Sequence, residues 1–116
     1  MLIRIDADSS RPLFEQVASS VRGDILAGRI APGDRLPSAR EVAEALEINL
    51  HTVLRAYQLL RDERLVDLRR GRGAVVSASA APLAELAEDV ADLVRRAASL
   101  GISSATLAAL VTEIES

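Results

Sequence analysis

The sequence predicts a mainly α-helical chain that carries one small β-hairpin. Apolar residues recur at spacings of three and four over most of the chain, which is the period of an amphipathic helix. One stretch after Glu63 instead alternates apolar and polar residues, as a strand does. Aromatic residues make up only 2% of the 116 residues, so we expect a core of Leu, Val, Ile and Ala in closely packed helices.

The composition argues against several functional classes. The chain has no cysteine and a single histidine, His51, so disulfides are excluded and neither a transition-metal site nor a Ser-His-Asp triad is expected. We therefore expect no enzymatic activity, no metal and no cofactor. The sequence also lacks an apolar stretch of about 18 residues and a signal peptide, which favours a cytoplasmic protein without a membrane partner.

A first helix is predicted over residues 11–27. Residues 9–12 place a capping serine hydroxyl just before a proline, which is tolerated in a first helical turn. The apolar stripe of this helix comprises Phe14, Val17, Val21 and Ile25. Gly28 is expected to end the helix, and a turn is expected at residues 32–34.

Two short helices joined by a turn of three or four residues should follow. Ser38 and Glu41 form a capping box, in which the serine accepts a backbone N–H and the glutamate reaches back to the cap. The helical pattern breaks at residues 47–49, and Asn49 can cap the next helix. This spacing is typical of a helix-turn-helix, whose second helix presents its first turn to a partner.

The alternating stretches at residues 65–69 and 74–78 predict a hairpin. Its turn carries two glycines, which allow a tight reversal, and Arg70 and Arg72 flank Gly71 at the exposed tip. A hairpin directly after a helix-turn-helix is expected to form a wing. Residues 1–76 are therefore predicted to fold as a winged helix-turn-helix domain.

Residues 77–82 are small and unpatterned, so we expect a linker there, followed by a two-helix dimerisation region over residues 83–116. Gly101 is expected to end the first of these helices, and Ser103 or Ser104 to cap the second. The apolar seam comprises Leu83, Leu86, Val90, Leu93, Ala97, Leu100, Leu107, Leu110, Val111 and Ile114. So short a helical hairpin cannot bury the apolar stripes of both its helices by itself. They must pack against a second copy of the chain, which we favour, or against the first domain.

The charge is unevenly distributed along the chain. The net charge of −3 is the sum of +1 over residues 1–76, with 12 Arg and 11 acidic residues, and −4 over residues 77–116, with 2 Arg and 6 acidic residues. The first part is therefore the one that suits a polyanionic partner.

The helix-turn-helix and the hairpin tip offer the residue types that contact duplex DNA. Asparagine pairs with adenine and arginine with guanine or phosphate, while free amides at a helix start bind phosphate oxygens. The candidate DNA-binding residues are Arg35, Ser38, Arg40, Asn49, His51, Thr52, Arg55, Arg70, Gly71 and Arg72.

Three motifs, at residues 35–43, 49–57 and 71–73, resemble the winged-helix domain of GntR-family transcription regulators over about residues 13–76. The second motif and the short helical tail are similar to the YtrA-type subfamily. The resemblance implies a dimeric bacterial DNA-binding regulator, usually a repressor, with Gly71 and Arg72 entering the minor groove. Leu50, Leu54 and Arg64 depart from the family pattern. The first position is often arginine, or proline in the YtrA-type subfamily, the second is frequently basic, and the third is commonly glycine.

These observations favour a homodimer that binds a pseudo-palindromic double-stranded operator and represses transcription. The tail is too short for a dedicated ligand domain, so a small-molecule effector would bind at the dimer interface or between tail and winged helix. Control by protein concentration alone is equally open. The alternative function is a protein–protein interaction module that uses the winged helix without binding DNA.

Overall fold

The computed structural model of the chain describes residues 3–115, which form five α-helices, one 3-10 helix and two antiparallel strands. In chain order these are α1 (Leu13–Leu26), α2 (Ala39–Leu46), α3 (Leu50–Asp62), β1 (Val66–Arg69), β2 (Gly73–Val76), the 3-10 helix (Ala78–Ala80), α4 (Ala81–Ser99) and α5 (Ser104–Glu115). The predicted fold class, mainly helical with one small hairpin, is confirmed. The chain divides into two compact units, Met1–Ala84 and Glu85–Ser116. Residues 1, 2 and 116 of the predicted domains lie outside the described residues.

The start of α1 differs from the prediction. Pro12 itself occupies the cap position, and no side chain caps the helix. The predicted serine cap is wrong because the Ser9 hydroxyl accepts a hydrogen bond from the Arg11 backbone N–H at 3.2 Å, within the preceding turn. The helix ends as predicted, with Gly28 in the left-handed region at a φ of 75°.

Both α2 and α3 begin at the predicted caps, but only half of the predicted capping box forms, because the Glu41 carboxylate makes no hydrogen bond to the Ser38 backbone N–H in the described chain. The Ser38 hydroxyl accepts from the Glu41 backbone N–H at 3.1 Å, and the Asn49 side chain accepts from the His51 backbone N–H at 2.7 Å. Glu47 ends α2 in the left-handed conformation, with a φ of 56°. The two caps fix where α2 and α3 begin.

The hairpin pairs Val66 with Val76 and Arg69 with Gly73, and residues 70–72 form its turn. The segment before α2 also pairs with β2, which the sequence did not indicate. The Leu36 N–H donates to the Ala74 carbonyl at 2.9 Å, and the Val76 N–H donates to the Asp34 carbonyl at 2.8 Å. β2 is therefore paired along both of its edges, and its last three residues are all buried instead of alternating.

The core of the first unit lies between α1, α3 and the hairpin. Its largest fully buried side chains are Leu60, Val17, Val21, Val53, Val66 and Val76. Each such side chain contributes about 1.5–3 kcal/mol relative to an exposed one. At the rim, the Arg22 guanidinium binds the Glu63 carboxylate through two hydrogen bonds of 2.7 Å, which joins α1 to the end of α3 and raises the pKa of Arg22.

Residues 77–82, predicted to be an unpatterned linker, are helical for most of their length. Ser77 accepts from the Ser79 backbone N–H and caps the 3-10 helix, and α4 follows directly at Ala81. Alanine is the strongest helix former, and Pro82 falls in the first turn, where proline is tolerated. Small side chains here favour a helix more than they favour flexibility.

The second unit contains most of α4 and all of α5. Gly101 has a φ of 78° after α4, as predicted, and Ser103 caps α5 by accepting from the Thr106 backbone N–H. Most of the predicted seam is exposed, Ile114 at 84% and Leu100 at 68%, whereas Leu83 and Leu107 are half-buried and Ala97 is buried. The seam therefore has apolar surface left to cover.

No single described helix is both long enough and apolar enough to cross a membrane. Only residues 78–99 and 104–115 taken together, as a pair bent by 119°, have the length and composition for it.

Candidate nucleic-acid interface

The start of α2 forms the first part of the candidate interface. Ser38 and Arg40 are both exposed there, beside the free amides of the first helical turn. The Tyr57 hydroxyl on α3 donates a 2.7 Å hydrogen bond to the Pro37 carbonyl and so holds this helix start against α3. Burial raises the pKa of Tyr57, so the phenol stays protonated and remains a donor.

The first turn of α3 forms the second part. Asn49 and His51 are exposed, whereas Thr52 is half-buried. The helix cap uses the Asn49 Oδ1 atom, and its Nδ2 group donates to no residue of the described chain. Asn49 can therefore cap the helix and offer an amide donor to an outside acceptor at the same time.

A groove lies between α2 and the beginning of α3. It is lined by Arg40, Ala43 and Glu44 of α2, by Ile48 of the turn and by Leu50, the first residue of α3. Arg40 thus lines the same groove as Leu50, the first residue of α3. In duplex DNA the backbone phosphates flank the base edges of a groove, so a phosphate contact at Arg40 is compatible with base contacts at the start of α3.

The Arg55 guanidinium lies over the Phe14 ring of α1, 3.7 Å from its centroid. The sequence predicts Phe14 in the apolar stripe of α1 and Arg55 among the DNA-binding residues, and it does not link the two. Stacking occupies one face of the guanidinium and leaves its N–H edge available to an anion, so the ring positions the charge. Phe14 is one of only two aromatic residues in the chain, and this rarity was the one sequence feature that could have indicated a special contact for its ring.

The hairpin tip joins this surface through Arg35. The Arg35 Nε–H donates a 2.8 Å hydrogen bond to the Arg72 carbonyl across 37 residues of sequence, and Arg35 pairs with Val75 of β2. Gly71 has a φ of 80°, which only glycine adopts without strain, and Arg70 and Arg72 are exposed on either side of it. One guanidinium therefore connects the entry to α2 with the turn of the wing.

Within residues 3–115, the candidate arginines have no carboxylate partner, a property that they share with Arg4, Arg11 and Arg64 but not with the other arginines of the first unit. Salt bridges engage Arg22, Arg29, Arg61 and Arg69. By contrast, no carboxylate of residues 3–115 pairs with any of the candidates, which are Arg35, Arg40, Arg55, Arg70 and Arg72. Guanidinium groups without an internal counter-ion are the ones free to bind phosphate or guanine.

Comparison with known proteins places this surface inside a family match. Residues 13–76 match the family model described as "Bacterial regulatory proteins, gntR family". The matched range contains every candidate DNA-binding residue.

The similar proteins include two transcriptional regulators and one solved structure. It is 40% identical over 79 residues to the HTH-type transcriptional repressor YtrA of Bacillus subtilis, an alignment that covers 68% of this chain and 61% of YtrA. It is 30% identical over 112 residues to the HTH-type transcriptional regulator Rv1152 of Mycobacterium tuberculosis, covering 97% of this chain and 93% of that protein. YtrA from Sulfolobus acidocaldarius, a GntR-family transcription factor, superposes with a TM-score of 0.63 at 32% identity, over 85% of this chain and 99% of that one.

Proposed function

Because the chain belongs to the GntR family of bacterial regulatory proteins, we propose that it is a sequence-specific DNA-binding repressor that acts as a homodimer on a pseudo-palindromic operator. Its relatives are transcriptional regulators, which agrees with the expectation that the chain is not an enzyme. A regulator of chromosomal genes acts in the cytoplasm, and we propose that location.

The observation that carries the proposal is the hydrogen bond from Arg35 to the Arg72 carbonyl. It links the wing turn to the segment that leads into α2, and Tyr57 in turn holds the start of α2 to α3. Two helix starts and an arginine-bearing loop are thus held by direct hydrogen bonds, and a single duplex would be contacted by all three.

In this proposal each part has a separate task on the duplex. The first turn of α3 enters the major groove, where Asn49 and His51 meet base edges and Thr52 meets the backbone. Arg40 and the amides at the start of α2 bind phosphates, which fix the register without reading sequence. Arg72 and Gly71 lie in the neighbouring minor groove.

The exposed apolar seam of α4 and α5 supports the homodimer. Seven of its ten residues are exposed, among them Leu86, Val90, Leu93 and Leu110. A second copy of the chain would cover them around a two-fold axis, and it would place the two α3 helices in half-sites about 34–36 Å apart.

Sequence selection from a random pool of duplexes tests the proposed function. We expect an inverted repeat with half-sites about one helical turn apart, and native binding should weaken steeply with salt. If no sequence is enriched while a stoichiometric protein partner is recovered from lysate, the chain is a protein-interaction module and the proposal is wrong.

Arg40→Ala tests the phosphate contact on the selected duplex. The variant should bind every sequence more weakly and lower the slope of log K against log salt by about 0.9. Arg95→Ala on α4 is the matched control, since Arg95 already pairs with Asp92 in the second unit, and its slope should equal the native one. Equal slopes for Arg40→Ala and the native chain would contradict the contact.

A small-molecule effector at the dimer interface stays a prediction. Within the first unit, polar side chains converge on an open cavity of about 940 Å³ along α1. Its lining includes Arg4, Asp6, Arg11, Gln16, Ser19 and Asp24. A metabolite screen by thermal shift should therefore be repeated on Arg11→Gln and on a seam variant, because loss of the shift in only one of them locates the ligand.

A further inference from the structure

Two leucines lie exposed at the start of α3. Leu50 and Leu54 each leave 37% of their surface exposed, although Val53 between them is fully buried. They are four residues apart, so their side chains lie next to each other on one side of the helix. The pair, which we call the leucine ridge, is left out of the core and makes an apolar strip beside polar contact residues.

The surroundings of the leucine ridge are basic and polar. Leu50 shares its groove with one cation and one anion, Arg40 and Glu44, and neither has a salt bridge in the described part of the chain. Arg55 follows Leu54 directly and is held by Phe14. Arg40 and Arg55 thus place a guanidinium beside each leucine and outnumber the one carboxylate of Glu44, so an apolar group presented between phosphates fits the ridge better than an extended apolar protein surface does.

We propose that the leucine ridge reads thymine by packing against its 5-methyl group in the major groove, an inference that rests on the proposed function. That methyl is the apolar group that a base pair displays there, and cytosine lacks it. Leucine has no hydrogen-bond donor or acceptor, so it selects by apolar contact alone. The operator should accordingly carry thymines opposite the ridge in each half-site.

Replacement of thymine by uracil tests the inference on the full chain. Uracil differs from thymine only by the missing methyl, so base pairing and the polar groove edge are unchanged. Burial of one methyl corresponds to about a four-fold change in affinity. We expect about a three- to five-fold loss at one or two thymines of each half-site of the selected duplex, measured by fluorescence anisotropy.

Alanine variants assign the effect to the two leucines. Leu50→Ala and Leu54→Ala should each lose the preference for thymine over uracil at one of the sensitive operator positions. Both sites are partly exposed and alanine favours helix, so the variants should fold, which circular dichroism checks. Leu26→Ala at the end of α1 is the matched control: Leu26 is 36% exposed, and this variant should discriminate as the native chain does.

Three results would overturn the inference. The first is native binding that no single uracil weakens. The second is discrimination by Leu50→Ala and Leu54→Ala that equals the native value. The third is loss of a protein partner in these variants with thymine preference unchanged, which would make the ridge a protein-docking surface. A native chain that binds no selected duplex would instead refute the proposed function itself.

Discussion

At the scale of single residues, Tyr57 has the clearest positioning role in the candidate interface. Its hydroxyl donates to the Pro37 carbonyl just before α2, and the ring is almost completely buried. Tyr57→Phe keeps the packing but removes the donor. The free energy of unfolding should fall by about 1 kcal/mol, with weaker DNA binding, as measured by urea denaturation and anisotropy. Unchanged stability and unchanged affinity together would contradict this role.

The same residue predicts a dependence on alkaline pH. Burial raises the pKa of Tyr57 in the folded chain above the value of about 10 of an unfolded tyrosine. Its contribution is therefore fully present below about pH 10 and is lost as the pH rises toward the folded pKa, because the unfolded chain ionises first. Urea denaturation between neutral and alkaline pH should show this loss in the native chain and a smaller one in Tyr57→Phe.

Asn49 combines two roles that substitutions can separate. Asn49→Ala removes both the cap and the amide donor, so stability should fall by about 1 kcal/mol. Asn49→Ser keeps a capping oxygen and should fold as stably as the native chain. Both variants should lose about 1–3 kcal/mol of preference among operator sequences, measured by competition binding. If Asn49→Ser kept the native preference, Asn49 would be a cap alone.

At the scale of secondary-structure elements, the connection between α3 and β1 contains a strained residue. Arg64 has a φ of 64°, in the left-handed region that side chains with a Cβ atom adopt at a cost of about 1–2 kcal/mol. Arg64→Gly should raise the free energy of unfolding by about 1 kcal/mol. Arg64→Ala removes the same side chain but keeps the Cβ, so it should show no such gain. A gain in both variants would assign the effect to charge instead of backbone strain.

The elements also show which features local sequence could predict. Ser38 and Asn49 were identified as caps because each bonds a backbone amide two or three residues away, which is a local pattern. The pairing of residues 33–36 with β2 and the stacking of Arg55 on Phe14 join distant segments. Neither contact leaves a periodic signal. The fold class was therefore predictable, whereas the way in which Arg35 and Arg55 are held was not.

At the scale of the whole molecule, the proposed homodimer depends on the exposed apolar seam of α4 and α5. Leu93→Glu would place a carboxylate in the seam, where Leu93 is 47% exposed in the single chain. Desolvation of that charge should make the chain monomeric and weaken operator binding by about 100-fold or more, since two linked half-site contacts become one. Ala98→Glu, off the seam of α4, adds the same charge and should stay dimeric.

Sedimentation equilibrium over a range of concentrations measures this directly. A dimeric Leu93→Glu chain, or a monomeric native chain at concentrations that saturate the operator, would contradict the seam assignment. The first-unit fold should be unaffected in either variant, because α1, α3 and the hairpin contain its core.

In the proposed complex, two copies of the chain each place α3 and the arginine-tipped wing on one duplex. Sedimentation velocity of the native chain with a labelled duplex that carries the selected inverted repeat tests it most directly. We expect a complex of two chains per duplex, reduced to weak single-chain binding when one half-site is scrambled. A single chain per intact duplex, or no complex in dilute salt, would contradict it.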